Sequence, residues 1–234
     1  MTTLAFAVAA AAGNLAGALA VVRRLEASLR AIDVGIAFSA GFMLSVALLG
    51  VLPEVLGRGE PSAAAYVLGG YLAVHAAQHV LAPHFHFGEE THRVSAAAGI
   101  VGLIGLAVHT FFDGVAIAAG FLASGRLGLL LALSVLLHKL PEGVTVASLM
   151  VAGGHGRRAA IAAAAVVGLA TVLGVLMTEA MAPLARHGLA LSAGVTLYVA
   201  ASELVPAFQG RRRGIATLAF GGGILTFLAA NLLV

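Results

Sequence analysis

The chain has 234 residues, of which 61% are hydrophobic and 10% charged, with a formal net charge of +3. A soluble domain normally carries about 25% charged residues, so these residues cannot supply a water-facing surface, and the bilayer is the solvent. The charge comes almost wholly from arginines in connectors, which report orientation rather than nucleic-acid binding, and the absence of cysteine excludes disulfides, cysteine–zinc sites and thiol chemistry.

Eight apolar segments of about 20 residues or more follow in chain order, each long enough to cross a hydrocarbon core. The first, near 3–22, follows Met1-Thr2-Thr3 with no basic residue before it, and reads as a retained helix rather than a signal peptide. Arg23-Arg24-Leu25-Glu26 leads to the second, near 34–56, which contains Met43 and ends near Pro53 and Glu54. The third, near 63–82, places His75 and His79 on one face with Gln78 beside them. A polar loop with His84, His86, Glu89, Glu90 and His92 follows. The fourth and fifth spans, near 96–123 and 126–150, carry the strongest motifs. The sixth, seventh and eighth lie near 159–181, 188–208 and 214–233, with Glu179 and Glu203 toward span ends.

The connectors fix an orientation. Those after spans one, three, five and seven hold 9 arginines, and those after spans two, four and six hold 3. Positive residues stay on the cytoplasmic side, so both termini face outward. Ser39-Ala40-Gly41 through Ala47 in span two also corresponds to Ser192-Ala193-Gly194 through Ala200 in span seven, and the same offset of 153 residues brings Pro53 onto Pro206. Spans two and seven run in opposite directions. The expected architecture is a single transmembrane domain over 1–234. Residues 1–83 and 157–234 form inverted three-helix repeats about a central helix pair at 94–151. In such transporters the site lies near the midplane at the repeat interface.

Span four reads His109-Thr110-Phe111-Phe112-Asp113-Gly114-Val115, and span five reads His138-Lys139-Leu140-Pro141-Glu142-Gly143-Val144. Both are His-x-x-x-acid-Gly-Val. Four residues make about one helical turn, so each His shares a face with its acid. An ionised carboxylate at this depth costs at least about 3 kcal/mol, and two of them beside imidazoles call for a compensating cation. Two imidazoles and two carboxylates suit a divalent transition metal, zinc first, with iron, manganese, cadmium and cobalt within reach. The ion is cargo, and no resident cofactor is expected. A lone buried His would read as interhelical packing; a duplicated His–acid pair reads as a site. Pro141 cannot donate to the Leu137 carbonyl, so span five is expected to kink or open there.

These motifs resemble those of the ZIP family of metal transporters, whose hallmark is a pair of polar motifs in the fourth and fifth of eight spans. The resemblance extends to Ala40-Gly41 through Leu52-Pro53-Glu54, to Ser192-Ala193-Gly194 through Pro206, and to the loop of His84, His86 and His92, placed where the family has a histidine-rich loop. It implies an all-α 3+2+3 inverted-repeat fold, outward termini, metal flow toward the cytoplasm, a homodimer and an elevator-like motion. Arginine over lysine and short loops suggest a prokaryotic inner membrane.

The chain departs from the family pattern in one respect. Many members hold two adjacent metals, with an Asn or acid after each motif His; here those positions are Thr110 and Lys139. A span-six segment whose fourth residue is often Glu in the family is here Gly168-Leu169-Ala170-Thr171. One metal is therefore expected, held by His109, Asp113, His138 and Glu142. Lys139 is expected to replace the second ion and to pair with Glu142 when metal is absent. Met43, Glu203, His75 and His79 are candidate accessory residues, while His155 and His187 read as ordinary connector residues. Two rival functions are an intramembrane metal-dependent hydrolase and a proton-coupled carrier of organic solutes. The hydrolase is disfavoured by four converging ligands without an extra base and by the lack of a His-Glu-x-x-His motif. The solute carrier would use the His–acid pairs as a relay.

Overall fold

A computed structural model describes residues 2–23, 29–79, 96–206 and 213–233. The described residues form helices and short connectors, with no strand among them. The helices are α1 Thr2–Val22, α2 Leu29–Ser45, α3 Leu52–Gly57, α4 Ala63–His79, α5 Ala96–Ala123, α6 Gly125–Ala152, α7 Arg157–Ala180, α8 Ala182–Tyr198 and α9 Arg213–Leu233. Six stretches are long and apolar enough to span a bilayer: Thr2–Val22, Val34–Gly57, Gly102–Ala123, Gly125–Val151, Arg157–Ala180 and Gly214–Leu232. The other two expected spans are also helical. The third contains the shorter apolar stretch Ala63–Ala77, and the seventh carries Glu203, with Arg186 and His187 just before it in α8. The histidine loop lies outside the described residues.

Two π turns interrupt the helical ladder, at Val46–Val51 and at Val199–Leu204. Each ends two residues before a proline, Pro53 and Pro206, and the two lie at the same 153-residue offset as the sequence correspondence. A π turn shifts the hydrogen-bond pattern to i→i+5, so both helices change pitch at matching points.

The helices pair closely along small-residue faces. α1 packs on α6, α5 on α7, α2 on α9 and α4 on α8. In each pair, two glycines meet a backbone carbonyl of the partner. A Cβ on Gly17 would collide with the Leu140 carbonyl, and one on Gly143 with that of Asn14. Gly114 faces Thr171 and Gly174 faces Phe111 in the same way. Gly41 and Gly223 approach Phe220 and Phe38, while Gly194 and Gly70 approach Val67 and Leu191. In a bilayer no hydrophobic force drives helices together, so close van der Waals approach and carbonyl contacts of this kind hold the bundle. Leucines such as Leu68, Leu122, Leu169 and Leu218 point outward, where lipid accepts them.

Replacing Gly194 by valine is expected to destabilise the detergent-solubilised protein by about 1–3 kcal/mol, the usual range for overpacking. Gly221→Ala, where nothing lies within 4 Å of the added carbon, should leave the melting temperature unchanged in the same assay.

Candidate metal centre

Only Ser124 separates α5 from α6, so the two helices form a tight antiparallel hairpin. Its extended backbone breaks the helix, and its hydroxyl accepts from the Leu127 amide at 3.1 Å, capping α6. His109 precedes this corner by 15 residues and His138 follows it by 14. Both motifs therefore sit at similar depth, roughly 20 Å from the turn at 1.5 Å per residue.

The hairpin brings the four expected residues together. His109, Asp113, His138 and Glu142 are all buried, and each offers a ligand atom within 4.8 Å of the others. The Asp113 Oδ2 atom is 3.4 Å from His109 Nε2 and 3.2 Å from His138 Nε2. The Glu142 Oε2 atom is 3.8 Å and 3.7 Å from the same two nitrogens. His138 Nδ1 lies 2.9 Å from the Ser134 carbonyl. A carbonyl only accepts, so Nδ1 carries a proton, and Nε2 is the nitrogen turned toward the carboxylates. Lone pairs facing carboxylate oxygens repel unless a cation or proton stands between them.

Lys139 supplies positive charge here. Its Nζ donates to Asp113 Oδ2 at 2.6 Å and to Glu142 Oε2 at 2.8 Å, and its side chain is fully buried. The pairing with Glu142 follows from the three-residue spacing; the bridge to Asp113 across the hairpin is an addition. The oxygens that face both imidazoles are the ones the ammonium holds.

Two polar contacts were not anticipated from the sequence. Asn14 of α1 is buried and donates Nδ2 to Glu142 Oε1 at 3.3 Å; a single amide in an otherwise apolar span was the available signal. Ser39 of α2 donates to the Leu137 carbonyl at 2.9 Å. This carbonyl is the one that Pro141 leaves without its helical donor. Of the expected kink or opening, the opening does not occur: α6 is helical through Pro141, with the Ser39 hydroxyl in place of the missing N–H.

The accessory candidates lie elsewhere. Met43 packs in an apolar cluster with Ala40, Val74, Tyr198 and Val199. Glu203 is buried in the second π turn, and the His75 ring is 5.8 Å from that of Tyr198. His79 is the last residue of α4, and its side chain lies outside what is described. Glu54 pairs with Arg58 at 3.0 Å, and Glu179 accepts from Thr3 at 2.6 Å. His187 lies within α8 rather than in a connector, and its ring stacks on Tyr66 at 4.2 Å.

Among the described residues of this multi-helix membrane protein, imidazole and carboxylate donors converge in a buried cluster that could hold a metal ion. The family model described as ZIP Zinc transporter matches residues 87–229, more than half of the chain, and the chain belongs to that family. It is 31% identical over 117 residues to zinc transporter zipt-7.1 of Caenorhabditis briggsae, a match covering 47% of this chain and 30% of that protein. It is 37% identical over 110 residues to human zinc transporter ZIP4, covering 44% of this chain and 16% of that protein. The chain thus matches less than a third of either relative's length.

Ser39→Ala leaves the part-buried Leu137 carbonyl without the hydroxyl donor. A loss of about 1–3 kcal/mol is expected, read as a lower melting temperature in detergent. Ser39→Thr, which keeps the hydroxyl, should recover most of it.

Proposed function

We propose that this protein carries divalent transition-metal ions, zinc foremost, across the membrane toward the cytoplasm through one site made by His109, Asp113, His138 and Glu142. The observation that carries the reading is the convergence of four ligand atoms within 4.8 Å at buried positions. Membership of the ZIP zinc transporter family, and relatives named as zinc transporters, point the same way. Two imidazoles with two carboxylates, and no thiolate, favour zinc while keeping its hold modest enough for release.

Lys139 supports the single-ion count. An ammonium already bridges Asp113 and Glu142, and Thr110 and Thr171 bring no charge. A second dication would have to sit beside the lysine with no further carboxylate. The sequence writes a one-metal site where many family members have two.

The proposed architecture has eight spans in a 3+2+3 arrangement. The π turns support it, as do the glycine contacts: Gly41 against α9 and Gly194 against α4 lie 153 residues apart, as do Gly70 and Gly223. In the inner set, Asn14 stands to Gly143 as Thr171 stands to Gly114. Exchanging the first three spans for the last three, and α5 for α6, maps each contact onto its counterpart, as an inverted repeat requires. The arginine distribution supports outward termini. A homodimer in a prokaryotic inner membrane completes the proposal.

Proteoliposomes holding the pure protein should take up radiolabelled zinc. His109→Ala or Glu142→Ala should lower uptake by at least the 10–100-fold, roughly, that follows loss of even a supporting group around a metal. No uptake by the unaltered protein, or hydrolysis of a peptide or ester by a fully zinc-occupied but transport-dead protein, would sink the reading. Native mass spectrometry should count one zinc per chain. The double change Lys139→Glu with Thr171→Glu should raise the count to two.

A further inference from the structure

We propose that Asn14 is a positioning residue of this centre: its amide fixes Glu142, and its side-chain carbonyl receives the Lys139 ammonium when a divalent cation claims the two carboxylate oxygens. The proposal rests on the one-metal reading above and deepens it, adding a residue from the first span to a site otherwise built from the fourth and fifth.

The orientation of the amide follows from chemistry. An ionised carboxylate only accepts hydrogen bonds, so Asn14 must turn Nδ2 toward Glu142 Oε1. That leaves Oδ1 facing away. This atom is buried and has no hydrogen-bond partner among the described residues. A buried acceptor left unpaired is costly, and its presence beside a charged centre calls for a donor in some working state.

Lys139 is a donor in reach of that wall of the site. A Cβ on Gly13 would lie 3.1 Å from Lys139 Cβ, so the lysine side chain starts out against α1, one residue from Asn14. The Asn14 backbone carbonyl is also the one packed on Gly143, next to Glu142. α1 therefore lies against both the root of the lysine side chain and the glutamate. Asn14 holds Glu142 by Oε1, while Oε2 faces the imidazoles and Lys139. Asn14 thus orients the glutamate without competing for the oxygen a metal would take.

Charge then dictates the exchange. The ammonium occupies Asp113 Oδ2 and Glu142 Oε2, the oxygens closest to both imidazoles. A dication settling between those atoms repels an ammonium bonded to the same two. Released, a fully buried ammonium requires another acceptor. Ser134 and Thr171 also carry unpartnered buried hydroxyls, but Asn14 is the one that bonds Glu142, itself a partner of Lys139, and that follows the α1 residue lying against Lys139 Cβ. The lysine acts as an internal counter-cation that yields the carboxylates to metal, and Asn14 gives it a place to go.

Lys139 is the only lysine in the chain, so lysine carrying 13C at Cε gives a single side-chain resonance from the whole protein. The test uses the full chain in lipid nanodiscs, titrated with zinc alone. Zinc should move that resonance to a second position, and Asn14→Leu should change the zinc-loaded position. Asn14→Leu should also weaken zinc binding about tenfold, the scale of a hydrogen bond to a charged group. In a Lys139→Met background, the same change should cost less than about threefold, because the coupled partner is gone. Asn14→Ser, a smaller change that retains an oxygen, guards against a folding defect and should fall between the two. A lysine resonance indifferent to bound zinc overturns the proposal. So does an Asn14 effect of equal size in both backgrounds, which would mark Asn14 as a direct metal ligand or a packing residue. Failure of the unaltered chain to bind zinc any better than His109→Ala would instead overturn the metal reading itself.

Discussion

Two carboxylates at membrane depth govern this structure. Asp113 and Glu142 are each about as buried as any core residue, and an anion in that setting persists only where positive charge and hydrogen-bond donors surround it. Among the described residues one ammonium and one amide donate to them, and two imidazole nitrogens stand where a cation or proton can bridge to the same oxygens. The fold provides the geometry: a hairpin with a one-residue corner sets two motifs at equal depth, and two flanking helices close over them. The glycines beside the acids, Gly114 and Gly143, let the α7 and α1 backbones come within contact, which excludes water and strengthens each electrostatic interaction inside.

The same constraint explains Pro141. A proline one residue before a ligand opens the hydrogen-bond ladder where the site is built. Ser39, from a helix outside the hairpin, fills the opened position. The helix stays continuous, and the ligand that follows keeps its place. The serine at the corresponding point of α8, Ser192, reaches the Phe112 carbonyl at 3.4 Å, a longer contact to a carbonyl that has no proline opposite it. One contact is thus a substitution for a missing backbone donor, and the other only touches.

Much of this was legible in the residues. The two His-x-x-x-acid motifs fixed which side chains share a helix face, because a helical period relates residues four apart without any knowledge of the fold. The Lys139–Glu142 pair followed from the same rule. What escaped were contacts between helices. The Lys139–Asp113 bridge depends on how two helices rotate against one another, and Asn14–Glu142 on which span lies beside the pair. Helix periodicity carries no record of either. The π turns were not visible either, since nothing in Val46–Val51 or Val199–Leu204 differs in composition from an α-helix. Only the prolines just beyond them, already matched at a fixed offset, marked the place. The expected opening at Pro141 failed for a related reason: the hydroxyl that prevents it lies about 100 residues away in sequence.

The carbonyl-on-glycine contacts bear on where this molecule can yield. A junction made of main chain alone has no rotamers to rearrange, so it behaves as a rivet: it either holds or parts. Four helix pairs are riveted in this way. The seams between them, such as α5 on α8 and α2 on α6, instead use side chains and two serine hydroxyls, which can exchange one carbonyl for the next along a helix. Two of the riveted pairs, α1 with α6 and α5 with α7, carry the charged centre, so its geometry is held by junctions without rotamers, while the seams toward α2 and α8 keep side chains that can rearrange.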